Sequence, residues 1–429
     1  MGATILKHAN AMPAPTWHRL HTNDVDIELP EELTVGGAGA GAALELAGAA
    51  EAGPDDAFER ALGELQERLD AARALEPADA RAVLRAAEGS ADPGDLDVPA
   101  LSTCEARSVQ KEAANQLAEA FECGLGPEAD AWIEQTAAAS ADEGARAVVV
   151  CGAGRRSAVA LRLAGTDGRA TAATLDLVAQ PHSEVSLSIE HDSPEGGEGA
   201  TALKLRVFAG AGAHVAVEAV QTLDDGWTAL DDSGYVLDEG AHVEVTHRVL
   251  GAKASYTGLA ADLRGDGGNI DIDTRYLGHG SNLVDFNYVV RHHGKKTSCK
   301  LDANGVLLDE SKKTLRGTID LVHGCKGSEG SERDTVLLAD ERAQNKTVPV
   351  ILCDEDDVAG NHGATIGHVR PEQLNYLQSR GLSPKAAEGL FATAVLEEAA
   401  AYAPSTAARA GVARIASGLA VPFDADREE

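Results

Sequence analysis

From Arg146 to about Val358 the chain offers strand-type runs and no amphipathic helical stripe, and inside that span it repeats itself. Gly212-Ala-His-Val-Ala-Val-Glu-Ala-Val220 is echoed by Gly240-Ala-His-Val-Glu-Val-Thr-His-Arg-Val249, with weaker echoes at Val185-Ser-Leu-Ser-Ile189 and Ile270-Asp-Ile-Asp273. The spacing is roughly 27 to 30 residues, within the range of repeat architectures. Short strands at a fixed period, separated by Gly, Asp and Asn turns, predict a parallel β-helix, a β-solenoid in which each turn stacks on the next. A β-sandwich is the rival, but about 200 helix-free residues are many for one sandwich.

The period separates this core from its flanks. Residues 1–145 read as a helical N-terminal region: Phe58, Leu62, Leu65, Leu69 and Ala72 make one stripe, Pro54 and Pro77 bracket it, and a second helix runs from Lys111 through Phe121. Gly36 to Gly41 reads as a loop. Residues 146–358 are the β-helix core, and 359–429 a C-terminal helical region. There Pro371 opens one helix and Gly381 closes it. Ser383 caps a second, with Ala387, Leu390, Phe391, Ala394 and Val395 on one face.

Charge excludes several classes of function. Acidic residues outnumber basic ones 69 to 37, a formal charge of -32, which argues against nucleic acid as a partner. An acidic, Lys-poor, Ala- and Gly-rich chain suits a high-salt cytoplasm, where dense carboxylates are screened. No apolar run approaches the 18 residues of a membrane span, and the first residues lack the order of a signal peptide, so a cytoplasmic protein is expected. Six widely spaced cysteines with no Cys-x-x-Cys pair argue against a disulfide framework or zinc ribbon.

Val148-Val-Val-Cys-Gly152-Ala-Gly154-Arg-Arg-Ser157 looks like a dinucleotide-binding turn, but Ser157 stands at the third glycine position and Ala158 to Leu163 reads as a strand, so a strand-to-strand turn is expected. No Walker A, Gly-x-Ser-x-Gly or His-Glu-x-x-His motif is present. Soft and borderline metal ligands cluster late in the chain: His292, His293, Cys299, His323, Cys325, Cys353 and His362. Cys299, Cys325 and Cys353 recur near the repeat length, which would stack them on neighbouring turns as a ligand ladder; buried cysteines also serve as small apolar fillers. His362 stands in a Gly360-Asn-His-Gly363 stretch that reads as a tight turn between a strand and a helix, a place where a side chain is presented.

Residues 349–398 resemble the C-terminal signature of the SufB/SufD family of iron-sulfur cluster assembly proteins. The resembling elements are the Pro349 strand, Asp356-Asp-Val358, His362-Gly-Ala-Thr365, Gly367, Glu372-Gln-Leu374, Tyr376-Leu377 and Ser379-Arg-Gly381. Weaker similarity covers Arg316-Gly-Thr-Ile319, Asp340-Glu-Arg-Ala343 and Pro15-Thr-Trp17. SufB-like chains carry Glu-His-Glu-Ala where this one has Asn361-His-Gly-Ala364, which points to the SufD side. Other members place a Cys where Gly360 stands, and tend to have Ala at Cys325, which favours the filler reading of that cysteine.

The resemblance implies a right-handed β-helix between helical regions and a non-enzymatic scaffold subunit that helps build iron-sulfur clusters and pass them to apo-proteins. It implies a SufB-like chain and a SufC-like ABC ATPase as partners, with a homodimer of the isolated subunit, and a transient iron-sulfur cluster at the interface to which His362 is the candidate ligand. Whether reduced flavin binds is not readable. Leu374, Leu377, Leu390 and Phe391 are the expected ATPase contact. The alternative is a β-helix enzyme acting on carbohydrate or acyl groups, which would need paired carboxylates or a nucleophile on an exposed face.

Overall fold

The computed structural model describes residues 4–14, 22–30, 33–35, 41–48, 50–52, 57–69, 123–140, 145–368, 370–419, 421 and 423. The Pro15-Thr-Trp17 segment, the loop from Gly36 to Ala40, Pro54, Ala72, Pro77, the expected helix from Lys111 to Phe121 and the acidic tail lie outside these residues. Residues 59–121 form a separate unit, of which 59–69 are helical, and residues 1–58 with 122–429 form the larger one.

The larger unit begins with β1 (Ile5–Ala9) and β2 (Val25–Glu28), an antiparallel pair, then β3 (Thr34–Val35), β4 (Ala42–Gly48), β5 (Ala50–Ala52) and helix α1 (Pro127–Ala139). The solenoid comes next. One of its sheets contains β6 (Arg146–Cys151), β8 (Arg169–Ala179), β10 (Gly199–Ala209), β12 (Trp227–Leu237), β14 (Ala254–Leu263), β16 (Leu283–His292), β18 (Lys312–Leu321) and β20 (Gln344–Cys353). The other contains β7 (Arg156–Ala164), β9 (Glu184–Asp192), β11 (His214–Gln221), β13 (His242–Val249), β15 (Asn269–Gly278), β17 (Ser298–Leu307), β19 (Glu329–Leu338) and β21 (Ala359–His368). Consecutive strands alternate between the sheets, so two strands make a turn and each strand pairs in parallel with the one two places on. This is the expected β-solenoid, and its parallel ladders exclude the sandwich.

Register explains the repeat. His214 pairs with Glu184 on one side and His242 on the other, and His242 pairs with Asn269. The glycines that open the two best echoes, Gly212 and Gly240, both have φ of +61°, a left-handed conformation that L side chains adopt at a cost. The dinucleotide-like motif is the β6 to β7 turn, with Gly154 at φ +64°.

The inward positions form one continuous core of Val, Leu, Ile and Ala with Tyr235, Tyr276, Phe286 and Tyr288. Outside, the sheets differ. Over the sheet of β8, β10, β12 and β14 lie β1, β2 and α1 with the residues just before it, and Leu6, Ile27, Leu125 and Ile133 pack there on Ala172, Ala200, Ala202 and Leu230. Arg316, buried on that face, donates to Asp285 at 2.6 Å and to the Thr22 carbonyl, while Asn10 donates to Asp285 at 2.7 Å. Strands covered on both faces read as nearly unbroken burial, as in β12, whereas β11 and β13 alternate because much of their outer face meets solvent.

Helices α2 (Pro371–Ser379), α3 (Pro384–Ala401) and α4 (Thr406–Leu419) come after the last strand. Ser383 caps α3 by accepting from the Ala386 amide at 3.2 Å, and Gly381, at φ +93°, ends α2, as the sequence predicts. The buried face of α3 is Ala392, Leu396, Ala399 and Ala400 against Leu250, Leu277, Val306 and α4, so the predicted stripe is rotated: Leu390 is 42% exposed and Ala394 is exposed. Two boundaries also differ from expectation. Residues 1–145 carry strands as well as helix, because β4 and β5 pair onto the first solenoid turn. Residues 359–368, expected as a turn opening a helical region, are β21, a full strand of the solenoid. Among the described residues no helix is long and apolar enough to cross a membrane.

Candidate ligand site on the open rung

His362 is therefore presented by a strand instead of a turn. β21 pairs with β19 alone, and β20 with β18 alone, so the last turn has one free edge in each sheet among the described residues. The Gly360, Asn361 and Gly363 residues that suggest a turn are held extended because the parallel ladder to β19 fixes their backbone, a tertiary override of local preference.

Inward and outward positions of β21 derive from β19. Gly330, Glu332, Asp334 and Val336 are buried and face the interior, while Glu329 and Arg333 are exposed. Their partners on β21 are Gly360, His362, Ala364 and Ile366. His362 thus occupies the inner column of the terminal rung, directly beyond Glu332, at an ordinary inter-strand spacing of about 4.8 Å. Moving inward along the same column, the side chains are Glu332, Leu301 and Ile272. This column changes from apolar to ionisable one rung before the open end, while Leu315, Ile319, Leu321, Val336 and Leu338 keep the rest of that rung apolar.

Glu332 is 5% exposed, and neither of its carboxylate oxygens has a hydrogen-bond partner among the described residues. Burial pushes its carboxyl up to about 8, the Asp334 charge adds to this, and Lys313 opposes it. Lys313 reaches across from β18 to pair with Asp334, both side chains being fully buried, and Thr347 donates to the same Asp334 oxygen at 2.6 Å. The Lys313 ammonium lies 5.4 Å from the centre of the Tyr276 ring. Burial lowers the Lys313 pKa, with Asp334 pulling the other way. Gly317 leaves room for Glu332: a β-carbon there would come within 2.6 Å of the carboxylate.

The cysteines do not make a ladder. Cys299 pairs in register with Ile270 and Gly330, and Cys353 pairs with Leu321 in the opposite sheet. Cys325 lies in the turn between β18 and β19, buried in the core. The reason is arithmetic: the step from β17 to β19 is 31 residues (299 to 330), while Cys325 is only 26 beyond Cys299. Burial raises the Cys299 thiol to about 12 and the Cys325 thiol to about 11, so both are protonated at neutral pH. Cys299 Sγ sits 3.3 Å from Nε2 of His292, whose pKa burial lowers to about 4 and whose Nδ1 is 2.8 Å from the Thr297 hydroxyl. Cys353 differs from both: it is exposed, ends β20 on the terminal rung, and its thiol donates to the Glu355 carbonyl at 3.2 Å. The terminal rung thus carries both His362 and Cys353 from the predicted set, but on different columns, His362 in register with Glu332 and Cys353 with Leu321; Cys299 lies two rungs inside, and the rung beneath adds Glu332, Asp334 and Lys313. The signal for Glu332 and Asp334 was available, since these charged residues fall at alternate, inward positions of Gly330-Ser-Glu-Arg-Asp334.

On the helices, Leu374 and Leu377 are half-buried on α2 beside Tyr376, which is 57% exposed; Phe391 packs against the α3 and α4 core.

Residues 162–395, more than half of the chain, match the domain described as SUF system FeS cluster assembly, SufBD core domain. The iron-sulfur cluster assembly protein SufD of Bacillus subtilis is 29% identical over 216 residues, 50% of this chain and 49% of that protein. A SufBD family protein of Mycobacterium leprae is 27% identical over 169 residues, covering 39% of this chain and 19% of its own length. SufB of Bacillus subtilis is 24% identical over 163 residues, 38% of this chain and 35% of that protein. The chain spans about half or less of the length of these curated relatives, and the matched region contains the solenoid from β8 onward with the open rung. The chain belongs to the SufB/SufD family.

Proposed function

We propose that this chain is a scaffold subunit, SufD-like, of an ATP-driven complex that builds iron-sulfur clusters and passes them to apo-proteins. In this reading the open rung meets the corresponding rung of a SufB-like chain, and the nascent cluster forms between them with His362 as one ligand. The observation that carries it is the position of His362 on the inner column of a rung whose strand edges are free among the described residues, directly beyond a buried carboxylate with no hydrogen-bond partner among them. A neutral imidazole binds iron yet is more labile than a thiolate, which suits a cluster that must be handed on. Free parallel edges favour docking by strand against strand, the cheapest way to satisfy their amides and carbonyls. Cys353 would be the thiol that this chain's own terminal rung carries, while Cys299 and Cys325 act as core fillers. ATP hydrolysis belongs to a SufC-like ABC ATPase, docking on the exposed parts of α2 and α3 around Leu374, Tyr376, Leu377 and Leu390, with Phe391 behind them. The complex works in the cytoplasm, and the acidic surface adapts the chain to salt.

The test is anaerobic reconstitution of the full chain with a SufB-like chain, a SufC-like ATPase, iron and sulfide. His362→Ala should co-purify with both partners and show cluster absorbance reduced by tenfold or more. Undiminished absorbance would remove His362 from the ligand set, and failure of the wild-type chain to bind either partner would overturn the scaffold reading.

A further inference from the structure

The repeated Gly-Ala-His-Val motif takes no part in the open rung. His214 begins β11 and His242 begins β13 in matching register, and their buried neighbours Val215 and Val243 point inward, so both imidazoles stand on the outer face of the nine-stranded sheet. Their ring centroids are 4.9 Å apart at an interplanar angle of 62°. Two residues further along the outward register, Glu244 of β13 pairs with Asp271 of β15. Nε2 of His242 lies 3.3 Å from Oδ2 of Asp271 and 3.7 Å from Oε1 of Glu244, and Nε2 of His214 lies 3.8 Å from the same glutamate oxygen. The ligand atoms of His214, His242 and Glu244 all fall within 4.8 Å of one another.

Those separations suit donors gathered around one ion. With metal-to-ligand bonds of about 2.0–2.1 Å, the edges of a tetrahedral site are roughly 3.3–3.4 Å, so the two histidine-to-glutamate separations need to close by a few tenths of an ångström, and the two imidazoles, within 4.8 Å of each other, reach one ion by side-chain rotation. The backbone is already fixed by the ladder. The side chains are 34 to 50% exposed, leaving room for water as a further ligand. Glu184, in register beside His214, is engaged by Arg156 at 2.6 Å, and the small Ser186 and Ala216 leave a shallow depression beside His214.

The geometry points to a surface site for a first-row divalent cation of borderline softness, such as Zn²⁺, held by His214, His242 and Glu244 with Asp271 as fourth ligand or as the acceptor that orients His242. Two imidazoles select against Mg²⁺ and Ca²⁺, which prefer all-oxygen sites, and two carboxylates balance the charge of the ion. The ion ties together three consecutive strands of one sheet, β11, β13 and β15. Four inter-strand steps, roughly 19 Å at about 4.8 Å each, separate β13 from β21, so this site and the His362 rung are independent.

Calorimetric titration of the full chain, stripped with chelator, with Zn²⁺ tests this directly. The wild-type chain and His362→Ala should each bind one equivalent more than His214→Ala/His242→Ala, and Glu244→Gln should weaken that equivalent at least tenfold. Co²⁺ in the same site should give visible d–d bands without the thiolate charge-transfer band that cysteine ligation produces. Equal stoichiometry in the wild-type chain and the double variant, or a thiolate band lost with the extra equivalent, would overturn the proposal. Because all four residues point outward, unchanged melting of the variants in chelator separates loss of the metal from loss of the fold.

Discussion

The two ends of the solenoid are finished in opposite ways. At the first turn β4 runs antiparallel to β7 and β5 antiparallel to β6, so the starting edge of each sheet is covered by a strand that cannot propagate the parallel stack. At the last turn β20 and β21 end the ladders with their outer edges free among the described residues, and the rung beneath them places Glu332 and Asp334 at inner positions. A repeat fold must manage its edges because unpaired strands recruit others. In the proposed docking, closing one end and leaving the other open turns a hazard into a directional contact, to which the charged inner positions just behind the open end would give chemical specificity.

The largest expected effect breaks the open end from within. Lys313→Met leaves Asp334 buried without its counter-charge, held only by the Thr347 hydroxyl, and should cost about 3–5 kcal/mol in chemical denaturation, whereas a shift below 1 kcal/mol would mean that water reaches this end of the core. A smaller effect depends on pH. Glu332 holds its proton in the folded chain up to about 8, but in the unfolded chain only to about 4.5. Its contribution is therefore complete below the unfolded value and lost as pH rises through 8. Glu332→Gln should flatten this decline and leave the variant about 1–3 kcal/mol more stable than wild type at pH 9, read from melts at several pH values. The smallest effect on stability sharpens the comparison most. Leu46→Lys on the closing strand β4 and Ile366→Lys on the open strand β21 replace exposed apolar residues, 40% and 52% accessible, and each should change stability by no more than about 0.5 kcal/mol. Only Ile366→Lys should abolish self-association or binding of a SufB-like chain in light scattering; equal behaviour of the two would remove the distinction between the ends.

Much of this fold is visible in the sequence because a solenoid writes its register into its spacing. Gly212 and Gly240 mark equivalent turns, and Val215, Val217, Val243 and Val245 mark equivalent inward positions. The period misleads where turns differ in length: a 31-residue step carries Cys325 five residues short of the column it was expected to join. β21 was hidden for another reason, since glycine and asparagine favour turns and only a neighbouring strand far away in sequence holds them extended. The site itself was half legible. His362 stands out by type, but Glu332 becomes significant only once alternation assigns it to the interior, and Leu390 lies outside the helix face that packing with α4 selects.

The Asp285 and Arg316 pair has a consequence for how the chain is made. Asn10 reaches its buried partner Asp285 across 275 residues of sequence, and Arg316 binds the Thr22 carbonyl across 294. At about 5–20 residues per second of synthesis, the first strands wait roughly 14 to 55 s for the surface they will cover. During that interval Ile27 and Leu29 are without the rungs that complete their burial, so the hairpin is a late-docking element and the part of the newborn chain most in need of protection.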